Sequence, residues 1–198
     1  MRAGRDWFAR PAPEVARALI GQVLIHDSKD GRVSGRIVET EAYLGQDDAA
    51  SHAALYRNGV EKLGRVPGVV YMYRSYGIHA MFNIVTNAAG DPGAVLIRAV
   101  EPIEGMDLMR VRRGAVPDRA LTRGPGNLCQ AFDFRLDHDG DDLVTSPACW
   151  IELAGHGGRI ACSPRIGITK NVEPALRYYD PDSPFVSGPR KFRVDTDR

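Results

Sequence analysis

The chain has 198 residues, of which 43% are hydrophobic, and its 26 basic and 25 acidic side chains leave a formal net charge of +1. A chain of this length can bury a core without disulfides or metals, and its composition excludes a disordered protein. No apolar run approaches the ~20 residues of a membrane span, and the first residues lack the layout of a signal peptide. Because the net charge is small, any contact with nucleic acid must come from a local surface.

The three cysteines are odd in number and widely spaced, at Cys129, Cys149 and Cys162. They form no Cys-x-x-Cys pair, which argues against a zinc site and against a disulfide framework. We therefore expect a reduced cytoplasmic protein, associated with the nucleoid if the organism is a bacterium.

The first part of the chain predicts a helix, two strands and a second helix. Helical spacing runs over residues 11–20, and strands are predicted on either side of a turn-forming segment at 27–31. Asp47 and Asp48 are expected to open a helix over 47–55, because acidic residues suit the first helical turn.

The second part begins with a tyrosine-rich hairpin, whose predicted strands at 69–75 and 78–86 are joined by Tyr76 and Gly77. The other predicted elements are a strand over 94–100, a basic amphipathic helix over 104–113, a short helix through 129–132, and short strands near 150 and within 160–168. Strands and helices do not alternate strictly, so we expect an α+β fold. It would form one domain over residues 1–198, with a mixed or antiparallel curved β-sheet, flanking helices and a protruding β-hairpin.

Two carboxylates share one face of the predicted strand at 36–45. Side chains alternate along a strand, so Glu39 and Glu41 are expected to lie with Ile37 and Tyr43. Carboxylates are rarely buried unless they are paired or used in chemistry. The strand alone slightly favours a solvated face over a functional site. The opposite, ordinary core face is expected to consist of Val38, Thr40, Ala42 and Leu44.

An aromatic side chain at the hairpin tip has little core to bury into. Tyr76 near Arg74 suits stacking on bases or wedging into a duplex, and it suits equally well a tyrosine that folds back over the sheet. Basic side chains cluster within 110–123 and 190–193, and the glycine-rich segment 124–126 leads into a helix whose free N–H groups suit a phosphate. Together with the hairpin, the basic clusters favour nucleic acid.

These blocks, in this order, resemble the alkyladenine (3-methyladenine) DNA glycosylases. The resemblance spans nearly the whole chain, and its most specific part is the Glu-Thr-Glu-Ala-Tyr core at 39–43. The matching blocks are residues 37–45, His52, 71–83, 95–102, 124–131, 165–167 and 183–187.

The resemblance implies a monofunctional base-excision enzyme without lyase activity. Such an enzyme flips an alkylated or deaminated purine out of the duplex and hydrolyses the N-glycosidic bond, which leaves an abasic site. The implied substrates are the 3-methyladenine class, with hypoxanthine and ethenoadenine as further candidates. The implied partner is double-stranded DNA that contains damaged purines. A monomer is expected, with no cofactor, no metal and no membrane contact.

The resemblance also assigns roles to individual residues. Glu41 would activate water as the general base, with Arg98 and the carbonyl group of Ile166 holding that water. Glu39 would support Glu41 without taking part in catalysis. The flipped base would be held by pocket residues, which are Tyr43, His52, Tyr73 and Asn83, the last crowding the exocyclic amine of guanine. The duplex would be contacted by the wedge Tyr76 and by Gly77, Ile78, His79 and Asn127.

Three departures from the family pattern concern DNA affinity and substrate range. Asn127 stands where the family often has a lysine, so the resemblance does not extend to one contact with a DNA phosphate. The loop at 53–67 keeps Arg57 and Asn58 but otherwise matches poorly, and His79 stands beside the expected wedge. None of these positions is an expected catalytic residue.

Other functions remain open from the residues alone. A carbohydrate-active glycoside hydrolase would use Glu39 and Glu41, whose Cα atoms on a strand lie ~6.6 Å apart, although both carboxylates stand on one side of a substrate. A noncatalytic nucleic-acid-binding module would use the stacking tyrosines Tyr71, Tyr73 and Tyr76. A metal site would use Glu39, Asp47, Asp48 and His52. The expected positions of those carboxylates on a strand face and a helix cap argue against the metal.

Overall fold

A computed structural model describes residues 1–155 and 158–188 of the protein. In this part of the chain an antiparallel sheet of eight strands carries helices on its flanks. The strands are β1 (Val23–Ser28), β2 (Gly31–Tyr43), β3 (Val70–Ser75), β4 (His79–Val85), β5 (Ala94–Glu104), β6 (Cys149–Glu152), β7 (Ala161–Ser163) and β8 (Arg177–Tyr179). The helices are α1 (Arg5–Phe8), α2 (Ala12–Leu19), α3 (His52–Leu55), α4 (Gly59–Leu63), α5 (Met106–Arg113) and α6 (Pro125–Phe132).

Strand β2 is the centre of the sheet. The strand order is β3-β4-β5-β2-β1-β6, and β8 pairs with both β2 and β7. The first half of β2 pairs with β1, and its second half pairs with β8 on the same edge, while β5 runs along the other edge. The predicted α+β fold, with an antiparallel sheet, flanking helices and a hairpin, is confirmed.

The main core lies on one face of the sheet. Its buried side chains come from the sheet and from α2, α5 and α6, and they include Val15, Leu19, Phe82, Met109 and Phe132. In α2, Pro13 stands in the first turn and Gly21, with a φ of 89°, follows the helix, as the sequence predicts. No helix in the described residues is long and apolar enough to cross a membrane.

A β-bulge in β2 changes which residues share a face. The register against β5 shifts on either side of Glu39. As a result, Ile37 packs in the main core with Ala42, whereas Val38 packs in a separate small cluster with Tyr179. The prediction that Ile37 shares the face of Glu39, and Val38 that of Ala42, is wrong because the extra residue of a bulge interrupts the alternation.

The predicted helix over 47–55 is also shorter than expected. Helix α3 covers only His52–Leu55, and the Ser51 hydroxyl caps it by accepting the N–H of Ala53. The Asp48 carboxylate instead accepts the N–H groups of Leu44 and Ala50 and so closes a turn ahead of the helix. Asp48 therefore does not cap α3.

The β3–β4 hairpin projects Tyr76 into solvent. Both Tyr76 (φ 49°) and Gly77 (φ 70°) have positive φ, as the tight hairpin turn requires, and the Ile78 N–H donates to the Ser75 carbonyl at 3.0 Å. Tyr76 is 89% exposed. The alternative in which Tyr76 folds back over the sheet is therefore wrong.

Gly59 brings α4 into direct contact with α3. A Cβ atom at this position would lie 1.8 Å from the carbonyl oxygen of His52. We expect Gly59→Ala to lower the free energy of unfolding by roughly 1–3 kcal/mol, the usual cost of overpacking, and to displace His52. Urea unfolding measures the effect. The control is Gly4→Ala, whose new Cβ would meet nothing within 4 Å, and equal losses in both variants would contradict this packing role.

Candidate active site

A cavity of about 520 Å³ opens on the face of the sheet that carries Tyr71 and Tyr73, opposite the core face that carries Met72. Its volume is in the range of small-molecule binding sites. The cavity wall contains seven of the residues predicted from the sequence, which are Tyr43, His52, Tyr73, Tyr76, Asn83, Arg98 and Ile166. Residues that the sequence analysis did not single out for this pocket also line it, among them Tyr56, Leu63, Met81 and Pro125.

The Glu41 carboxylate lies directly behind this wall. It is fully buried, and three residues of the wall contact it. The Tyr43 hydroxyl donates to Oε2 at 2.9 Å, Arg98 Nη1 lies 3.1 Å from Oε2, and the backbone N–H of Ile166 donates to Oε1 at 2.7 Å. The expectation of a solvated carboxylate face is therefore wrong. The Ile166 carbonyl is predicted to hold the catalytic water, whereas the contact that Ile166 makes with Glu41 itself is through its N–H.

Glu39 is held by two arginines. Its carboxylate accepts Arg177 Nε at 2.6 Å, Arg98 Nε at 2.9 Å, and the N–H and hydroxyl groups of Ser187 at 2.6 and 3.0 Å. Burial alone would raise the pKa of Glu39, but Arg98 and Arg177 hold it below its ordinary value. Glu39 is therefore a charged anchor for Arg98.

Arg98 and Tyr43 both keep their protons beside Glu41. Burial opposes the charge of Arg98, but Glu41 and Glu39 raise the pKa of its guanidinium above the ordinary value. Burial, reinforced by the negative charge of Glu41, raises the pKa of Tyr43 well above its ordinary value. The Tyr43 hydroxyl therefore remains a hydrogen-bond donor to Glu41.

Aromatic rings form another wall of the cavity. Tyr71 and Tyr73 stack with centroids 5.8 Å apart, and the His52 ring stands edge-on to Tyr73 at 4.3 Å. His52 Nδ1 lies 2.8 Å from the Tyr71 hydroxyl. Burial, and then the charge of Lys62, lower the pKa of His52, so the imidazole is neutral at neutral pH. The sequence did not single out Tyr56, whose ring stands edge-on to His52 at 4.7 Å.

Asn83 has a fixed orientation at the cavity wall. Its side-chain Nδ2 donates to the carbonyl groups of Tyr71 at 3.2 Å and Met81 at 3.3 Å. Asn83 is also only 3% exposed. A side chain held in this way can exclude a substituent on a bound ring without moving.

The remaining predicted DNA contacts lie outside the cavity wall. Ile78 is 74% exposed beside Tyr76 and Gly77 at the hairpin tip. His79 packs against the first turn of α6, where a Cβ on Gly126 would lie 3.0 Å from its ring. The Asn127 side chain donates to the Arg123 carbonyl at 2.8 Å. These residues therefore form a surface that continues from the hairpin to the start of α6.

The basic cluster at 110–123 is largely engaged within the protein. Arg110 pairs with Asp107 and Asp118, and Arg123 donates to the Val186 carbonyl at 2.9 Å. Arg112 and Arg113 also bond to carbonyl groups. These contacts weaken the interpretation of the cluster as a DNA-binding surface. The second cluster, Arg190, Lys191 and Arg193, lies outside the described residues.

Two of the three carboxylates suggested for a metal site, Glu39 and Asp48, are engaged in buried ion pairs. Asp48 forms a fully buried ion pair with Arg165, with Oδ2 2.6 Å from Nη1 and Oδ1 2.8 Å from Nη2. Among the described residues, no group of three or more His, Cys, Asp or Glu side chains is placed to hold a metal ion.

The Asp48–Arg165 pair predicts a dependence of stability on pH. Burial would raise the pKa of Asp48, but the hydrogen bond from Arg165 and those of its neighbours lower it from 3.8 to about 2. The charged form of Asp48 is therefore favoured in the folded protein. It adds about 2 kcal/mol to the free energy of unfolding above about pH 4, and this contribution is lost as the pH falls toward 2. Urea unfolding from pH 5 to 2 should therefore show the wild type and Asp48→Asn converging at low pH. Parallel profiles would contradict the assignment.

Comparison with known proteins identifies the family and several relatives of this chain. Residues 6–184 match the family described as methylpurine-DNA glycosylase. A protein of Chlorobaculum tepidum is 43% identical over 192 residues, which cover 94% of this chain and 90% of the relative. A protein of Chlorobium phaeobacteroides is 45% identical over 196 residues, covering 94% and 96%, and one of Methanocella arvoryzae is 42% identical over 191 residues, covering 92% and 94%. All three are named as proposed 3-methyladenine DNA glycosylases. The chain thus belongs to the methylpurine-DNA glycosylase family, whose members are DNA repair hydrolases.

Proposed function

We propose that residues 1–198 form a single glycosylase domain that excises alkylated or deaminated purines from duplex DNA by hydrolysis and leaves an abasic site. The observation that carries this proposal is the Glu41 carboxylate, buried and charge-paired directly behind the wall of an aromatic cavity. The substrates would be purines of the 3-methyladenine class, together with hypoxanthine and ethenoadenine. The protein would act as a monomer.

Base flipping would bring a purine from the duplex into this cavity. The glycosidic bond of a stacked base is out of reach, so the damaged nucleotide has to rotate out of the helix. Tyr76, at the rim of the cavity and 89% exposed, would fill the space that the base leaves. The flipped purine would then lie against Tyr43, Tyr73 and His52, and Asn83 would exclude the exocyclic amine of normal guanine.

The contacts of Glu41 define where water would bind. Each carboxylate oxygen has two lone pairs, and Oε2 already faces both Tyr43 and Arg98. Oε1 accepts only from the Ile166 N–H among its contacts in the described chain, so a lone pair remains for a water molecule. Glu41 would take a proton from that water as it attacks the anomeric carbon. Its charge would also stabilise the oxocarbenium-like transition state.

Access for that water requires a small movement. Glu41 has no exposed surface in the free protein. Catalytic contacts in free enzymes often reach their working geometry only when the substrate is bound. We therefore place the opening at the Ile166 segment of the wall, since it lies on the side of Oε1 and forms part of the cavity.

The cavity suits a cationic leaving group. An alkylated purine carries a positive charge, and the faces of Tyr43 and Tyr73 attract it through cation–π interaction. A neutral His52 adds no repulsion. No lysine lines the cavity in the described part of the chain, so these residues offer no amine for a Schiff base. This composition supports a monofunctional hydrolase.

The alternative functions fit the contacts less well. In a glycoside hydrolase, Glu39 would have to exchange protons with a sugar, but its carboxylate is enclosed by Arg98, Arg177 and Ser187. In a noncatalytic binding module, the tyrosines would suffice, and the paired Glu41 behind them would have no role. That module would bind DNA without releasing a base.

Base release tests the proposed function directly. The wild type should release free purine from at least one duplex of a panel that carries 3-methyladenine, 7-methylguanine, hypoxanthine or ethenoadenine. Glu41→Gln should lower the single-turnover rate by about 10²–10⁴-fold, since the amide cannot accept the proton, while duplex binding survives. Glu101→Gln, on β5 and outside the cavity wall, is the matched control. No release by the wild type, or near-wild-type release by Glu41→Gln, would refute the mechanism.

The exposed position of Tyr76 predicts a dependence on how well the lesion is stacked. Flipping costs a few kcal/mol of unstacking, and a wedge recovers part of it. We expect Tyr76→Ala to slow excision of one lesion more in a well-paired duplex than in a mismatch. Tyr76→Phe should have little effect, because stacking uses the ring. If Tyr76→Ala slows both contexts equally, or neither, Tyr76 is not a wedge.

A further inference from the structure

The Asp48–Arg165 ion pair joins two segments of chain behind the cavity. Both side chains have no exposed surface, and two parallel hydrogen bonds of 2.6 and 2.8 Å connect them. Arg165 Nη1 also donates to the Ala42 carbonyl at 3.1 Å. The Asn171 side chain donates to Asp48 Oδ1 at 2.7 Å. The pair is thus fixed from both sides and cannot rotate independently.

This pair contacts three parts of the cavity at once. Arg165 directly precedes Ile166, whose N–H donates to Glu41. Asp48 accepts the Ala50 N–H two residues before the start of α3, which carries His52. The third part is the Tyr43 ring, which lies 4.7 Å from the centre of the guanidinium group.

The guanidinium group lies behind the Tyr43 ring. Tyr43 lines the cavity, whereas Arg165 does not and its side chain is fully buried. The ring therefore contacts both the cavity and a buried cation. A planar guanidinium group can stack on an aromatic face while its edge makes the two-pronged bond to a carboxylate. The orientation of Tyr43 is consequently coupled to the Asp48 carboxylate.

Arg165 makes its contacts to Asp48 and Ala42 through the two terminal nitrogens and leaves Nε without a protein partner in the described residues. This Nε–H group is buried. A buried donor without a partner is costly, and such groups in native structures call for an explanation. Here the guanidinium keeps its stacking position over Tyr43 although one donor stays unpaired.

We infer that Asp48 and Arg165 are positioning residues for base excision. Together they hold the Tyr43 ring against the flipped purine and the Ile166 N–H against Glu41 Oε1. This inference rests on the proposed function and assigns a new role within the same site. The pair acts through Tyr43, Ile166 and Glu41, and it touches neither the base nor the sugar.

A second ion pair provides a matched comparison outside the cavity. Asp142 accepts the N–H of Val144, two residues later, and pairs with Arg5 at 2.5 Å. Asp48 accepts the N–H of Ala50, also two residues later, and pairs with Arg165. Neither Asp142 nor Arg5 lines the cavity. Asp142→Asn thus removes the charge of a similar ion pair without changing any contact of Tyr43 or Glu41.

The experiment measures release of methylpurines from duplex DNA treated with dimethyl sulfate, under single-turnover conditions over a range of enzyme concentrations. Asp48→Asn and Arg165→Lys should lower the maximal rate by about tenfold or more, because small misplacements of catalytic groups are costly. The half-saturating enzyme concentration should change by less than about threefold, since DNA is bound mainly by other residues. Asp142→Asn should retain the wild-type rate.

Measuring Asp48→Asn with and without Glu41→Gln separates a positioning role from a general loss of structure. In the Glu41→Gln background, adding Asp48→Asn should cause a clearly smaller fold-loss than it causes in the wild type, because the carboxylate toward which Tyr43 and Ile166 are held is already absent and only the position of the Tyr43 ring is left to disturb. Equal losses in both backgrounds, or a loss no larger than that of Asp142→Asn, would overturn the inference. Failure of both Asp48→Asn and Arg165→Lys to fold at the assay temperature would also overturn the inference, because the pair would then be needed only for the stability of the fold.

The outcome for the wild type distinguishes the two proposals. If the wild-type protein releases no methylpurine from the treated DNA or from the lesion panel, the proposed function fails. If the wild type is active and the variants behave as Asp142→Asn does, only the positioning role fails.

Discussion

The structure depends on the burial of two carboxylates on one strand. Glu39 and Glu41 lie on β2 without any exposed surface, and uncompensated charges in such a position would be prohibitively unfavourable. Arg98 on β5 and Arg177 on β8 supply the compensating charge from the two strands that flank this part of β2. The placement of β5 and β8 against β2 is therefore tied to the electrostatics of the site. Arg98 links the two carboxylates, since it pairs with both Glu39 and Glu41.

The same ion pairs hold the Glu41 carboxylate rigidly behind the aromatic cavity. Glu41 is fixed by donors from Tyr43, Arg98 and Ile166, each of which also faces the cavity. Donors and charges that are already oriented need little reorganisation when positive charge develops on a sugar. The ion pairs of Glu39 and Glu41 therefore act together, and none of them is expected to contribute a separate step to catalysis. They hold a single carboxylate at the wall against which a flipped base would lie.

The sequence predicted the elements well because their signals are local. The hairpin with Tyr76 and Gly77 follows from turn chemistry, and the shared face of Glu39 and Glu41 follows from alternation. The bulge at Glu39 reverses that alternation for Ile37 and Val38, and a register shift against β5 has no local signal.

Contacts between distant segments were the least predictable part of the site. Asp48 and Arg165 are separated by 117 positions, so nothing local distinguishes this buried pair from a helix cap and a surface arginine. Arg177 partners Glu39 across 138 positions, and the sequence analysis did not single it out. The family resemblance supplied the candidate residues Glu41, Arg98 and Ile166. It did not reveal that Glu41 is enclosed in the free protein.

The most direct test of the central claim is a crystal structure of Glu41→Gln bound to a duplex that contains one ethenoadenine. The account predicts that the base lies in the cavity between Tyr43 and the Tyr73–His52 wall. An ordered water should stand between residue 41 and the anomeric carbon, with the Ile166 segment displaced to admit it. A base that remains stacked in the duplex, or one held with its sugar away from residue 41, would contradict the account.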